Sequence, residues 1–160
     1  MADSWAREEE RSFLERALRI LTVREHSGQE LRQKLLAKGC SPLLADHLVE
    51  RCREWGYLDD RRYAERLLAS AASRGWGPKR LEAELRAKGV EPGIWEELSA
   101  QGRSREEEEA EFRERALALA QRQQSKGRSL PSIYRFLAAR GFTPSQIRGA
   151  LEALASEFDS

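Results

Sequence analysis

Three stretches decide the fold: GQELRQKLLAKGCSP at 28–42, PKRLEAELRAKGVEP at 78–92 and LPSIYRFLAARGFTP at 130–144. Each has an aliphatic residue (Leu31, Leu81, Ile133) followed four positions later by Leu35, Leu85 or Leu137, then a basic residue (Lys38, Lys88, Arg140), a glycine (Gly39, Gly89, Gly141) and a proline (Pro42, Pro92, Pro144). The i, i+4 pair is the buried stripe of a short helix, and a cation suits the carbonyl end of that helix. Glycine supplies the left-handed residue that closes the helix, and proline fits the first turn of the next one, where its missing N–H has no partner to lose. Each stretch therefore reads as helix, tight turn, helix. The glycines recur about every fifty residues, the mark of an internal repeat.

Working outward, Ser27 with Glu30, Ser104 with Glu107, and Thr143 with Gln146 have the spacing of a capping box, and Ser41 precedes Pro42 as a plain N-cap. A longer helix precedes each pair, with apolar positions at Leu14, Leu18 and Leu21, at Tyr63, Leu67 and Ala71, and at Phe112, Ala116 and Leu119 or Ala120. The closing helices carry Leu44, Leu48, Cys52 and Trp55, then Ile94 and Leu98, then Ile147, Leu151, Leu154 and Phe158. No segment alternates with the period of a strand. The expectation is an all-α chain: an elongated, curved array of three tandem three-helix repeats at 1–56, 57–102 and 103–160.

Charged residues make up 34% of the 160-residue chain and hydrophobic ones 40%, a balance that favours much surface relative to core. The net charge is only +1, which argues against a chain that coats nucleic acid by bulk attraction, so electrostatic targeting has to come from local clusters. Neither a secretion signal nor an apolar run long enough to span a membrane is present, so the sequence predicts a soluble, cytoplasmic protein. Cys40 and Cys52 are too few for a disulfide scaffold. With His47 between them they match no common zinc spacing, and no metal or other cofactor is expected.

No catalytic constellation appears: the histidines are His26 and His47 alone, and no nucleophile elbow, phosphate-binding loop or zinc-protease motif is found. His26, just before the capping Ser27, is expected at a solvent-facing helix end. The adjacent Asp59 and Asp60 stand before an apolar-periodic helix, where carboxylates accept from free amides and oppose the helix dipole, so they read as caps rather than as an acid–base pair. Trp55, Gly56, Tyr57 and Leu58 read as a turn whose large apolar residues pack one unit against the next.

Charge is segregated in the last unit. Glu106 to Glu109, Glu111 and Glu114 open it, and from Arg115 through Leu151 no Asp or Glu occurs, while Arg115, Arg122, Lys126, Arg128, Arg135, Arg140 and Arg148 do. Tyr134, Phe136 and Phe142 lie among these arginines, and either Tyr134 or Phe136 is placed to extend the buried stripe. A weaker cluster comprises Arg74, Lys79, Arg80, Arg86 and Lys88, near Trp76. Guanidiniums on a helix surface meet phosphates or carboxylates with two-pronged geometry, which makes both clusters candidates for a partner contact.

The run from Trp55 through Gly56, Tyr57, Leu58, Asp59, Asp60, Arg61, Arg62 and Tyr63 to Ala64, then Arg74-Gly75-Trp76-Gly77-Pro78-Lys79-Arg80-Leu81 and Glu84 to Gly89, resembles the bacterial RecX regulators, as does Ser27 to Leu35 in the first unit. The resemblance implies a monomeric cytoplasmic protein of DNA repair, recombination and the SOS response. Such a protein binds the groove of the RecA recombinase filament on single-stranded DNA and inhibits ATP hydrolysis, strand exchange and coprotease action. It brings no catalytic residues, and it leaves open contact with the DNA phosphates inside the filament. The competing reading of the residues is a helix-turn-helix protein acting on duplex DNA, since each Gly-x-x-Pro turn joins two short helices.

Overall fold

Local capping chemistry sets where five of the helices start. In the structure, a computed structural model describing residues 2–157 with side chains from residue 6 onward, Ser27 Oγ accepts from the Glu30 amide, Ser104 Oγ from that of Glu107 and Thr143 Oγ1 from that of Gln146. All three boxes are closed by the reciprocal bond from the N3 side chain to the cap amide. Ser41 caps its helix as expected, and Ser129 does the same through the Ser132 amide.

The described residues form nine helices and no strand: α1 (Ala2–Val23), α2 (Gly28–Ala37), α3 (Pro42–Glu54), α4 (Asp60–Arg74), α5 (Pro78–Ala87), α6 (Pro92–Ala100), α7 (Arg105–Ser125), α8 (Leu130–Ala139) and α9 (Pro144–Ser156). Long, short, short is the order within each triplet, and Pro42, Pro92 and Pro144 each occupy the first turn of the closing helix. Gly39, Gly89 and Gly141 have φ of +93°, +73° and +90°, the left-handed conformation that the turn requires. The paired aliphatics of the short helices, Leu31 with Leu35, Leu81 with Leu85 and Ile133 with Leu137, are all buried.

Two compact units are present: one comprises the chain up to Arg66 plus Ala87–Glu91, the other Leu67–Arg86 plus the chain from Pro92 onward. In the first, Phe13, Ala17, Leu31, Leu35, Leu48 and Cys52 form a core over which Leu58 closes. The stripe of α1 is turned by one residue from the expected register: Phe13 and Ala17 are buried, and Leu14, Leu18 and Leu21 flank them half-buried. In the second, Phe112, Ala116, Ala120, Ile133, Leu137, Phe142, Ile147, Ala150 and Leu154 form one cluster. Small residues let α7 and α9 approach closely, and a Cβ on Gly149 would meet Arg113 Cδ at 3.1 Å. The fourth stripe position of α9, Phe158, lies outside the described residues.

Trp55 departs from the expected stripe. It stands 44% exposed at the end of α3, its indole edge against Tyr57 at 6.3 Å and the Arg51 guanidinium 4.7 Å from its ring, while Tyr57 is 56% exposed. Gly56, at φ +76°, reverses the chain so that Leu58 alone of this turn enters the core. A mixed cationic and aromatic surface needs no cover from the core. Likewise Phe136 is half-buried against its core while Tyr134 is exposed.

Candidate functional site

The motif Arg74 to Arg80 ends one helix and starts another, and its backbone makes the key joint of the second unit. Gly77 donates its N–H to Arg140 O at 2.8 Å, and Lys79 donates to Gly141 O at 2.9 Å. The amides at the start of α5 thus meet the carbonyls that end α8, so each terminus satisfies the other's unpaired groups and the positive end of one helix dipole meets the negative end of the other. Glycine is required on both sides: a Cβ on Gly77 would lie 2.5 Å from the Gly141 carbonyl, and one on Gly141 2.3 Å from Arg80 N.

This joint holds a basic cleft of about 500 Å³. Its walls are Arg74 at the end of α4 with Gly75 just after it, Leu119, Arg122 and Gln123 of α7 with its C-cap Lys126, the turn residue Arg128, and Ser132 and Phe136 of α8 with its C-cap Arg140. No carboxylate lines it. Two of the cations are fixed. Arg140 Nη1 donates to Arg74 O at 2.8 Å, satisfying the carbonyl end of α4, and its guanidinium lies 4.9 Å from the Phe136 ring. Arg74 and Arg80 both stack on buried Trp76, at 5.0 and 4.9 Å. Arg122, Lys126 and Arg128 are exposed.

The cleft joins part of each sequence cluster. Arg74 comes from the weaker, and Arg122, Lys126, Arg128 and Arg140 from the stronger. Arg80 sits beyond Trp76 and pairs with Glu84 at 3.2 Å, and Lys79 and Arg86 are exposed on α5 outside the cleft, as are Arg135 on α8 and Arg148 on α9. Lys88 belongs to the first unit, 3.6 Å from Glu30. Arg115 is engaged internally: its Nη1 donates to Trp76 O at 3.0 Å, it stacks on Phe112, and burial lowers its pKa. Gln123 and Ser132, which the sequence reading did not single out, add polar groups; nothing in their local sequence marks them.

The first unit holds a different polar hub. His26 is buried rather than solvent-facing, because the chain between α1 and α2 folds inward. Its Nδ1 lies 2.9 Å from Arg24 O and its Nε2 2.7 Å from Lys34 Nζ, partners that fit a neutral ring donating through Nδ1 and accepting at Nε2. Burial lowers its pKa below 6.5; the hydrogen bond to the Arg24 carbonyl works against that shift, and the positive charges of Arg24 and Lys34 add to it. Beside it Glu30, 6% exposed, receives Arg24 at 2.7 Å and the Ser27 amide. Burial works to raise its pKa, but these donors and Lys88 hold it down at about 2. Asp59 caps α4 by accepting from the Arg61 and Arg62 amides, and Asp60 reaches the Gly28 amide at the start of α2 at 2.8 Å. Both aspartates therefore serve backbone N–H groups. Cys40 and Cys52 are buried free thiols whose pKa burial raises, and no group of three metal-ligating side chains occurs among the described residues. No helix among those residues is long and apolar enough to cross a membrane.

Comparison with known proteins places this architecture. The family model for the first three-helix domain of RecX matches residues 14–52, and that for the second matches 59–98. Regulatory protein RecX of Halorhodospira halophila is 38% identical over 144 residues, which cover 86% of this chain and 84% of that protein. The chain belongs to the RecX family. Members from Cronobacter sakazakii and Shigella dysenteriae are 42% and 43% identical over 88 residues, and the chain spans about half of their length, 53% in each case. The crystal structure of RecX from Lactobacillus salivarius superposes with a TM-score of 0.75 at 18% identity, covering 92% of this chain and 97% of that one. A further crystal structure of a regulatory protein RecX gives 0.79 at 16%, over 94% and 77%. At those identities the structures show the fold, a helical repeat array; the family itself is one of regulatory proteins.

Proposed function

We propose that this RecX protein is a cytoplasmic, monomeric regulator that docks in the groove of the RecA filament on single-stranded DNA and inhibits ATP hydrolysis, strand exchange and coprotease action. The observation that carries the reading is the cleft of five cations without a carboxylate, on a chain of net charge +1. A local surplus of that kind seeks a matching acidic surface or phosphate at a defined place and does not coat nucleic acid indiscriminately. Repeats at 1–56, 57–102 and 103–160 spread further contacts along the filament, with Lys79, Arg80, Arg86, Lys88, Arg135 and Arg148 assisting. Regulation follows if the protein binds active and inactive filament states with different affinity.

The helix-turn-helix reading fits the side chains less well. It would place the second helix of each pair in the major groove, yet α6 carries no Lys or Arg and holds Glu96 and Glu97, and α9 carries Arg148 alone. The test is recombinase ATP hydrolysis on single-stranded DNA, titrated with this protein. Hydrolysis is expected to fall with wild type and to fall much less with Arg122→Glu/Arg128→Glu; an unaffected rate with wild type refutes the proposal.

A further inference from the structure

The cleft also has the features of a small-ligand site. Its volume of about 500 Å³ falls within the range of pockets that take small molecules, and Leu119 and Phe136 line it together with its cations. Arg74 and Arg140 are fixed in place by ring stacking, and Arg140 also by its bond to a helix-terminal carbonyl. Arg122, Lys126 and Arg128 line the same space and are exposed. Five cations around one cleft with no carboxylate among them suit an anion whose charges are concentrated, because each added oxyanion finds a cation without displacing a carboxylate.

We propose that the cleft binds a linear triphosphate group, free or carried by a nucleoside. Charge density is what favours it over a nucleic-acid strand. A strand carries one charge per phosphodiester and extends beyond so small a cleft, leaving most of the five cations unmatched, whereas a triphosphate puts several charges into the cleft at once. The guanidinium of Arg140 already covers one face of Phe136, so recognition there falls to the phosphates rather than to base stacking on that face. One consequence rests on the regulatory reading above: if the same cations meet the filament, a triphosphate competes for them and makes inhibition sensitive to its concentration. Binding itself does not depend on that reading.

The experiment is calorimetric titration of the full chain with inorganic tripolyphosphate in magnesium-free buffer, beside sulfate at equal ionic strength and an oligothymidylate. Saturable binding of tripolyphosphate is expected, with sulfate much weaker and with the affinity of Arg122→Gln/Arg128→Gln reduced about tenfold or more, the effect of removing charge-assisted hydrogen bonds. Arg105→Gln, exposed at the start of α7 and outside the cleft, should bind like wild type. Circular dichroism checks that the double variant folds, and Lys126→Gln gives a single-site version of the same test. No binding of tripolyphosphate, equal binding by sulfate, equal loss in Arg105→Gln, or tighter binding per phosphate by the oligonucleotide overturns the proposal. A wild-type protein that inhibits the recombinase but binds no tripolyphosphate would sink this inference and leave the regulatory reading intact; one that binds tripolyphosphate but does not inhibit would do the opposite.

Discussion

Replacing Gly77 with alanine should break the joint between the start of α5 and the end of α8. The new Cβ would fall 2.5 Å from Gly141 C, Gly141 O and Phe142 N, all backbone atoms with no flexible end to swing away. Relief requires the two turns to separate, which lengthens the bonds from Gly77 N to Arg140 O and from Lys79 N to Gly141 O, now 2.8 and 2.9 Å. Each lost bond costs about 1 kcal/mol and the buried amide of Gly77 left without a partner about as much again, so destabilisation of about 3 kcal/mol is expected. For a chain of this size that is a fall in Tm of roughly 6–12 °C. Gly93→Ala is the matched control: its Cβ meets nothing within 4 Å, and alanine inside a helix should be neutral or stabilise by up to about 1 kcal/mol. Thermal and urea melts followed by circular dichroism compare the two. Equal stability of Gly77→Ala and Gly93→Ala would refute the close backbone approach.

Ser104→Ala removes the cap of α7 on an exposed surface and should lower stability by about 1 kcal/mol in urea melts, with no change at the cleft. Acid should act on the first unit in two steps. The pKa of His26 is lowered from 6.5 by burial, so its contribution is complete above that value and drains as pH falls below it. Glu30 lies at about 2 in the folded chain against an ordinary 4.5, so its contribution is complete above pH 4.5 and is lost on acidification from there towards 2, about 3 kcal/mol in all. Urea midpoints measured against pH should show the lower limb flatten in Glu30→Gln; an unchanged limb would contradict the role assigned to Glu30.

What could be read from the sequence was local. Capping boxes at Ser27, Ser104 and Thr143, the closing glycines 39, 89 and 141, and the prolines after them act over a few residues, so their spacing alone placed the helices. The i, i+4 aliphatics of the short helices identified the core for the same reason. The clusters of cations were visible as charge, but their convergence was not: Arg74 and Arg140 meet across 66 positions, and the bonds from Gly77 N to Arg140 O and from Lys79 N to Gly141 O run between backbone atoms that any residue possesses. Trp55 and His26 went the other way. A periodic pattern gives an aromatic residue at a helix end to the core and a histidine beside a cap to solvent, whereas Arg51 and Tyr57 furnish a surface seat for the indole and Lys34 and Arg24 an interior one for the imidazole.

Direct binding to recombinase filaments assembled on single-stranded DNA, measured for wild type and Arg122→Glu/Arg128→Glu beside naked duplex DNA, bears most closely on the basic cleft as the regulatory contact. Wild type should hold the filament firmly and the bare duplex weakly, and the double variant should lose about tenfold or more of its filament affinity while keeping its helix content. Filament binding that is indifferent to both substitutions, or a wild-type protein that prefers the bare duplex, would contradict it.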